Sequence, residues 1–257
     1  MTDRPAKPSI AQIREVSQPI SVTGRSNAEH WVADLYLRKI SPYLTRILLK
    51  TPITANGVTY LMIVTGISIS AALLIPGYQG ILLALFLSQL QMLWDCCDGE
   101  IARWRNTQSP KGVFLDRVGH YLTESLIPIA FALRLAGWPN EPVTDWKLPF
   151  LAALISIMIL LNKSFNDIVH VSRALANLPK LSDSKESGVP TSTLLKLMKA
   201  PFKILAVQRL FHSVEMTIII TIFGNNDALI NVGLYLALFV TAGHLVAILG
   251  SRKLDPR

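Results

Sequence analysis

The residues able to do chemistry are concentrated in one stretch. It reads Asp95-Cys-Cys-Asp98-Gly99-Glu-Ile-Ala102-Arg103, then eight residues, then Gly112-Val-Phe-Leu-Asp116-Arg-Val-Gly-His120. Three aspartates, with Arg103 and His120, stand in segments that are otherwise largely apolar. A charge at bilayer depth costs several kcal/mol or more, so such a cluster marks function. Clustered carboxylates in a low dielectric need cations to stay ionised. Oxygen-rich ligands favour Mg²⁺ or Mn²⁺ over zinc. Gly99, Ala102 and Gly112 leave room for a nucleotide or pyrophosphate to approach the backbone. Arg103 and Lys111 supply cationic contacts to phosphate.

Two helices must position these groups. They are antiparallel and joined by a short turn centred near Thr107. Asp98 lies nine residues before that point and Asp116 nine after, while Asp95 lies twelve before and His120 thirteen after. Asp98 is therefore expected to face Asp116, and Asp95 to face His120. Spacings of three and four keep each pair on one helical face. At about 1.5 Å rise per residue the two layers sit roughly 5 Å apart. That suits one divalent ion, or two ions about 4 Å apart.

The rest of the 257-residue chain is built for a membrane. It is 51% hydrophobic, with a mean hydropathy of +0.39. Apolar runs predict six spanning helices near Gly57–Ile75, Ile81–Arg103, Gly112–Ala136, Leu148–Val171, Leu205–Phe223 and Ala228–Gly250. Eight Lys/Arg fall in residues 1–50 and seven between Arg173 and Arg209, but none in 76–80 or 224–227. This asymmetry places both termini in the cytoplasm. The net charge of +8 flanks the spans, so anionic lipid rather than nucleic acid is its partner. Cys96 and Cys97 are adjacent, cannot staple the fold, and read as small packing residues. The polar N-terminus has no signal-peptide pattern.

The expected fold is an all-α integral membrane protein. Residues 1–50 form a cytoplasmic N-terminal segment and 51–257 a six-helix membrane domain. Residues 1–25 read as disordered or loosely attached. Ser26-Asn-Ala-Glu29 reads as a capping box. Trp31, Leu35, Tyr36, Ile40, Tyr43, Leu44, Ile47 and Leu48 then recur at helical spacing beside Arg38, Lys39, Arg46 and Lys50. This predicts an amphipathic helix on the inner leaflet, kinked at Pro42. A second surface helix is expected near Ser192–Phe202.

The pattern D-x-x-D-G-x-x-A-R-x8-G-x3-D, from Asp95 to Asp116, resembles the signature of the CDP-alcohol phosphotransferases. Asn56-Gly-Val-Thr59 is similar to that family's element at the start of its first helix. The resemblance implies a six-helix fold, usually a homodimer, with a divalent-metal site open to the cytoplasm. It implies cleavage of a CDP-linked alcohol, release of CMP, and transfer of the phosphoryl group to a second alcohol. Asp95, Asp98 and Asp116 would then be metal ligands. Gly99, Ala102, Arg103 and Gly112 would line the CDP site, with Asn56 and Thr59 nearby. The chain departs from the pattern at His120, where the family has a fourth aspartate proposed to deprotonate the acceptor. His120 is read as the working base and, with Asp95, Asp98 and Asp116, as a metal ligand at which a second metal is bound more weakly or replaced by Mn²⁺. The alternatives are impaired chemistry, or a structural histidine with another group as base.

Other polar residues lie inside spans. Lys163, Asn166 and Arg209 are the candidates for the acceptor pocket, against a role in hydrogen bonds between helices. Lys163 with Asp167, and Asn166 with His170, share a face by their i,i+4 spacing. Glu124, Glu215, His30 and His244 read as structural. The function expected is metal-dependent phosphoryl transfer from a CDP-alcohol, with CDP-diacylglycerol the first choice of donor, in phospholipid synthesis at the inner membrane. A metal-dependent CDP-lipid hydrolase and a non-catalytic lipid-binding protein are the rivals.

Overall fold

A computed structural model describes residues 4–5, 7–23, 32–178 and 207–254. All secondary structure among them is helical: α1 Ile10–Ser17, α2 Ile20–Thr23, a π turn Ala33–Leu37 leading into α3 Arg38–Leu48, α4 Ala55–Leu73, α5 Tyr78–Arg105, α6 Pro110–Leu135, α7 Lys147–Leu175, a 3-10 turn Val207–Phe211, α8 Ser213–Phe223, α9 Ala228–Leu249 and a 3-10 turn Arg252–Leu254. The expected capping box at 26–29 and the surface helix at 192–202 lie outside the described residues. Contacts divide the chain into two compact units, Met1–Ile69 with Leu83–Thr123, and Ser70–Leu82 with Glu124–Arg257.

Among the described residues, four helices, α4, α5, α7 and α9, are long and apolar enough to cross a membrane. The expected third span falls in α6, which has the length (26 residues) but not the hydropathy. Asp116, Arg117, His120, Glu124 and Arg134 lower it. The expected fifth span is divided at His212: a 3-10 turn precedes α8, whose 11 residues are too few for a span by themselves. Large apolar side chains stay exposed at helical spacing, for example Tyr60, Val64 and Ile67 on α4 and Val232, Tyr235, Phe239 and Leu249 on α9. Lipid, not water, is the solvent for such faces.

In the first unit, the turn between α5 and α6 is specified residue by residue. Asn106 takes a positive φ of 53°, which asparagine tolerates and which ends α5. The Thr107 amide donates to the Ala102 carbonyl at 2.9 Å. Ser109 Oγ accepts from the Gly112 amide at 3.1 Å, and Pro110 opens α6 where its missing donor costs nothing. Arg105 donates to the carbonyls of Ile53, Leu49 and Thr51, satisfying the chain between α3 and α4. Helices α4 and α6 approach closely at two glycines. A Cβ on Gly119 would lie 2.2 Å from Met62 Cε, and one on Gly66 would lie 1.9 Å from Thr123 Oγ1. That backbone approach brings the start of α4 alongside the acidic residues.

For the described residues 7–23 the structure corrects the expectation of a loose segment. Ser9 and Gln12 form a reciprocal capping box on α1. Ile13 and Ser17 of α1 are fully buried. In α3 the amphipathic pattern is inverted relative to a soluble helix. Ile40, Tyr43 and Ile47 are exposed, while Ser41 and Thr45 are fully buried. Pro42 sits inside this helix.

In the second unit, α7 and α9 pack together. Thr241 Oγ1 donates to the Met158 carbonyl at 3.1 Å. His244 meets Phe165 edge-on with ring centroids 5.9 Å apart, which agrees with its reading as a packing residue. Arg134 gathers the carbonyls of Leu73, Ile75 and Gly77 and the Asn225 side chain.

Candidate metal and nucleotide site

Asp95 on α5 and Asp116 and His120 on α6 bring ligand atoms within 4.8 Å of one another. His120 Nε2 lies 3.3 Å from Asp95 Oδ1 and 3.6 Å from Asp116 Oδ1, its i+4 neighbour on α6. All three are half-buried, so they are reachable but only partly hydrated. The facing of Asp95 and His120 matches the spacing about Thr107. Asp116 joins that layer as well, instead of facing Asp98 alone, because the i,i+4 step draws it to His120. Asp98 takes a different partner: Thr59 Oγ1 donates to its Oδ2 at 2.7 Å. Thr59 is 2% exposed, so α4 holds this carboxylate from below. Asp98 remains within electrostatic reach of both other aspartates.

The smaller residues of the stretch surround this cluster. Asn56 Oδ1 lies 3.2 Å from where a Gly112 Cβ would be, so a side chain at 112 would press on it. A Cβ on Gly99 would sit 3.1 Å from both terminal nitrogens of Arg103. The Arg103 guanidinium thus folds back along α5 over Gly99, and its Nε donates to the Ser17 carbonyl at 2.6 Å. Ala102 is half-buried and packs on a small core of Ala55, Val58, Cys97 and Ile101. Cys96 and Cys97 are buried and free, in keeping with packing. Lys111 is exposed at the start of α6.

Glu100 is the residue that sequence reasoning missed. It is fully buried, and its carboxylate accepts from Gln18 Nε2 at 2.8 Å, Ser41 Oγ at 2.5 Å and Thr45 Oγ1 at 2.6 Å. The signal was present in α3: two hydroxyl residues four apart, on a helix whose other face is apolar, require a polar partner.

The acceptor candidates are not drawn together. Lys163 Nζ pairs with Glu124 Oε2 at 2.7 Å, not with Asp167. The pair lines a cavity of about 40 Å³ with Asn162, His212 and Thr241. Asn166 is exposed and Arg209 half-buried, and neither is among the lining residues. The Asn162 Nδ2 atom is buried with no hydrogen-bond partner among the described residues.

Carboxylate oxygens with one imidazole nitrogen at this spacing are a donor set that fits a divalent cation. The set stands beside an arginine folded over a glycine. Residues 52–242 match the family model of the CDP-alcohol phosphatidyltransferases, and the chain belongs to that family. Its members are transferases of phospholipid synthesis, set in membranes and typically dependent on a divalent metal. No curated protein matches the chain significantly.

Proposed function

We propose that this protein transfers a substituted phosphoryl group from a CDP-alcohol, with CDP-diacylglycerol the first choice, to an alcohol acceptor and releases CMP. The convergence of Asp95, Asp116 and His120 within 4.8 Å, in a chain of this family, is the observation that carries the reading. Asp95, Asp98 and Asp116 would hold Mg²⁺ or Mn²⁺ as one or two ions, and His120 is kept for the acceptor's proton. When bound, the metal withdraws charge from the diphosphate and from the departing CMP. Thr59 orients Asp98 through its 2.7 Å hydrogen bond. Gly99, Ala102 and Gly112 leave the backbone open to the nucleotide, with Asn56 at the rim and Arg103 on the phosphates.

The reaction then follows the balance of a phosphoryl transfer. The acceptor oxygen forms a bond to the phosphorus that carries the donor's alcohol. The bond from that phosphorus to the CMP oxygen breaks. The hydroxyl proton passes to His120. Of the acceptor candidates, Lys163 is kept for that role, while Asn166 and Arg209 lie outside its cavity. The unpartnered amide of Asn162 in the Lys163 cavity supports a polar occupant there. The basic residues near α3 and between α7 and α8 support cytoplasmic termini, six spans, a surface-lying α3 and an inner-membrane site facing the cytoplasm. The family resemblance also supports a homodimer.

The test is purified protein in lipid nanodiscs with CDP-diacylglycerol, Mg²⁺ or Mn²⁺ and a panel of alcohols, with lipid products weighed by mass spectrometry. A new phospholipid and stoichiometric CMP are expected. CMP release without any acceptor would make the protein a hydrolase. No CMP release with any alcohol would make it a non-catalytic family member.

A further inference from the structure

Glu124 and Lys163 line the cavity of about 40 Å³ in the second unit, together with Asn162 and Thr241. Their charges are matched there. The Lys163 ammonium stands 2.7 Å from Glu124 Oε2, and Glu124 is 1% exposed. Among the described residues, no other Asp, Glu, Lys or Arg lines the cavity. An entering anion would meet a buried carboxylate and an ammonium that already has its counter-ion. A phosphate monoester brings a charge of about −1.5 to −2, and burying charge without a partner is strongly unfavourable in a low dielectric. A cation fares no better, because the Glu124 carboxylate is already paired.

What the cavity offers instead is hydrogen bonding. Asn162 Nδ2 is buried with no partner among the described residues. A buried amide N–H without a partner is unfavourable, and an oxygen acceptor removes that penalty. Thr241 Oγ1 spends its hydrogen on the Met158 carbonyl, which leaves its oxygen lone pairs to accept. An ammonium carries three donors, so Lys163 keeps N–H groups beyond the one directed at Glu124. A hydroxyl both accepts and donates, and so answers this set without adding charge. At roughly 10–15 Å³ for each water, the space admits about three water-sized groups, the scale of the hydroxylated end of a short polyol. Ile159 and Phe211 give that polyol's carbons an apolar wall.

We propose that this cavity is a subsite for an uncharged polyol, and that the Glu124–Lys163 pair keeps phosphorylated and cationic alcohols out of it. The inference rests on the CDP-alcohol reading above and gives its acceptor a chemical class.

The experiment uses the full chain in nanodiscs with Mn²⁺ and CDP-diacylglycerol. It compares glycerol with glycerol 3-phosphate, serine and ethanolamine as acceptors, by CMP release and product mass. Glycerol is expected to exceed each charged alcohol at least tenfold in kcat/KM. Asn162→Leu should raise the glycerol KM at least fivefold and leave the donor KM unchanged. Glu124→Gln, assayed at a temperature at which it stays folded, should shift the preference at least tenfold toward glycerol 3-phosphate, because it frees the Lys163 charge. A variant that had only lost stability would lose both acceptors alike. A wild-type protein that prefers a charged acceptor, or that uses another alcohol but not glycerol, overturns the proposal and leaves the transferase reading standing. An unchanged glycerol KM in Asn162→Leu does the same and makes the cavity a water site only. An unchanged acceptor ratio in Glu124→Gln also overturns it. CMP release that needs no acceptor, or none with any alcohol, removes both.

Discussion

In the second unit Glu124 is buried, but its carboxylate lies 2.7 Å from the Lys163 ammonium. In the first unit Asp95 and Asp116 share one histidine, and Asp98 has one threonine hydroxyl. Glu100, only two residues from Asp98, is again fully answered, by three donors from α3 and the residue following α1. The chain thus neutralises or solvates the acids at 100 and 124 from its own side chains. It leaves the acids at 95 and 116 crowded around an imidazole, with Asp98 on a threonine hydroxyl beside them. Self-satisfied acids hold a fold together, whereas a crowded set calls for an external cation.

Substitutions can break or sharpen that contrast. The largest effect is expected for Asp98→Asn, which should lower CMP release at least about 10³-fold, or roughly 4 kcal/mol in the barrier. Expression and helix content should stay unchanged by circular dichroism. Chelation by EDTA should have the same effect on the wild-type protein, and added Mg²⁺ or Mn²⁺ should reverse it. An active Asp98→Asn protein would place this carboxylate among the structural acids.

Glu124→Gln should instead act on stability. It strands the Lys163 ammonium, at a cost of roughly 3 kcal/mol, read as a lower midpoint in thermal unfolding. Glu124→Gln combined with Lys163→Met should recover much of that loss. A double variant no more stable than the single would show that the pair is not a self-contained ion pair.

His120→Ala should lower turnover about 10²-fold or more if the imidazole takes the acceptor's proton. His120→Asp should retain activity and shift the preference from Mn²⁺ toward Mg²⁺. Full turnover in His120→Ala would leave His120 as packing between two aspartates. The smallest effect is expected for Thr59→Val. Removing one hydrogen bond to a carboxylate costs about 1.5 kcal/mol, seen as a roughly tenfold loss of metal affinity with the fold retained.

The signature and the lengths of α4, α5, α7 and α9 were legible because they depend on local spacing and continuous apolar runs. The short turn near Thr107 was legible because two apolar runs flank it. The pairing of Asp95 with His120 followed from antiparallel geometry alone. What sequence spacing could not supply was lateral. Lys163 has an acid four residues along its own helix, yet it pairs with Glu124 on another helix. Asp98 is steadied by Thr59, 39 residues away in sequence. The attachment of α1 depends on Glu100, whose partners are spread from Gln18 to Thr45. The capping box at Ser9 and Gln12 was a local signal that the polar composition of the N-terminus hid.

Manganese binding tests the central claim most directly. Titration of the nanodisc-embedded protein with Mn²⁺, followed by electron paramagnetic resonance, should show one or two saturable sites. A variant with Asn at 95, 98 and 116 should lose them while keeping its helix content. Equal Mn²⁺ binding by that variant and the wild-type protein would contradict the account.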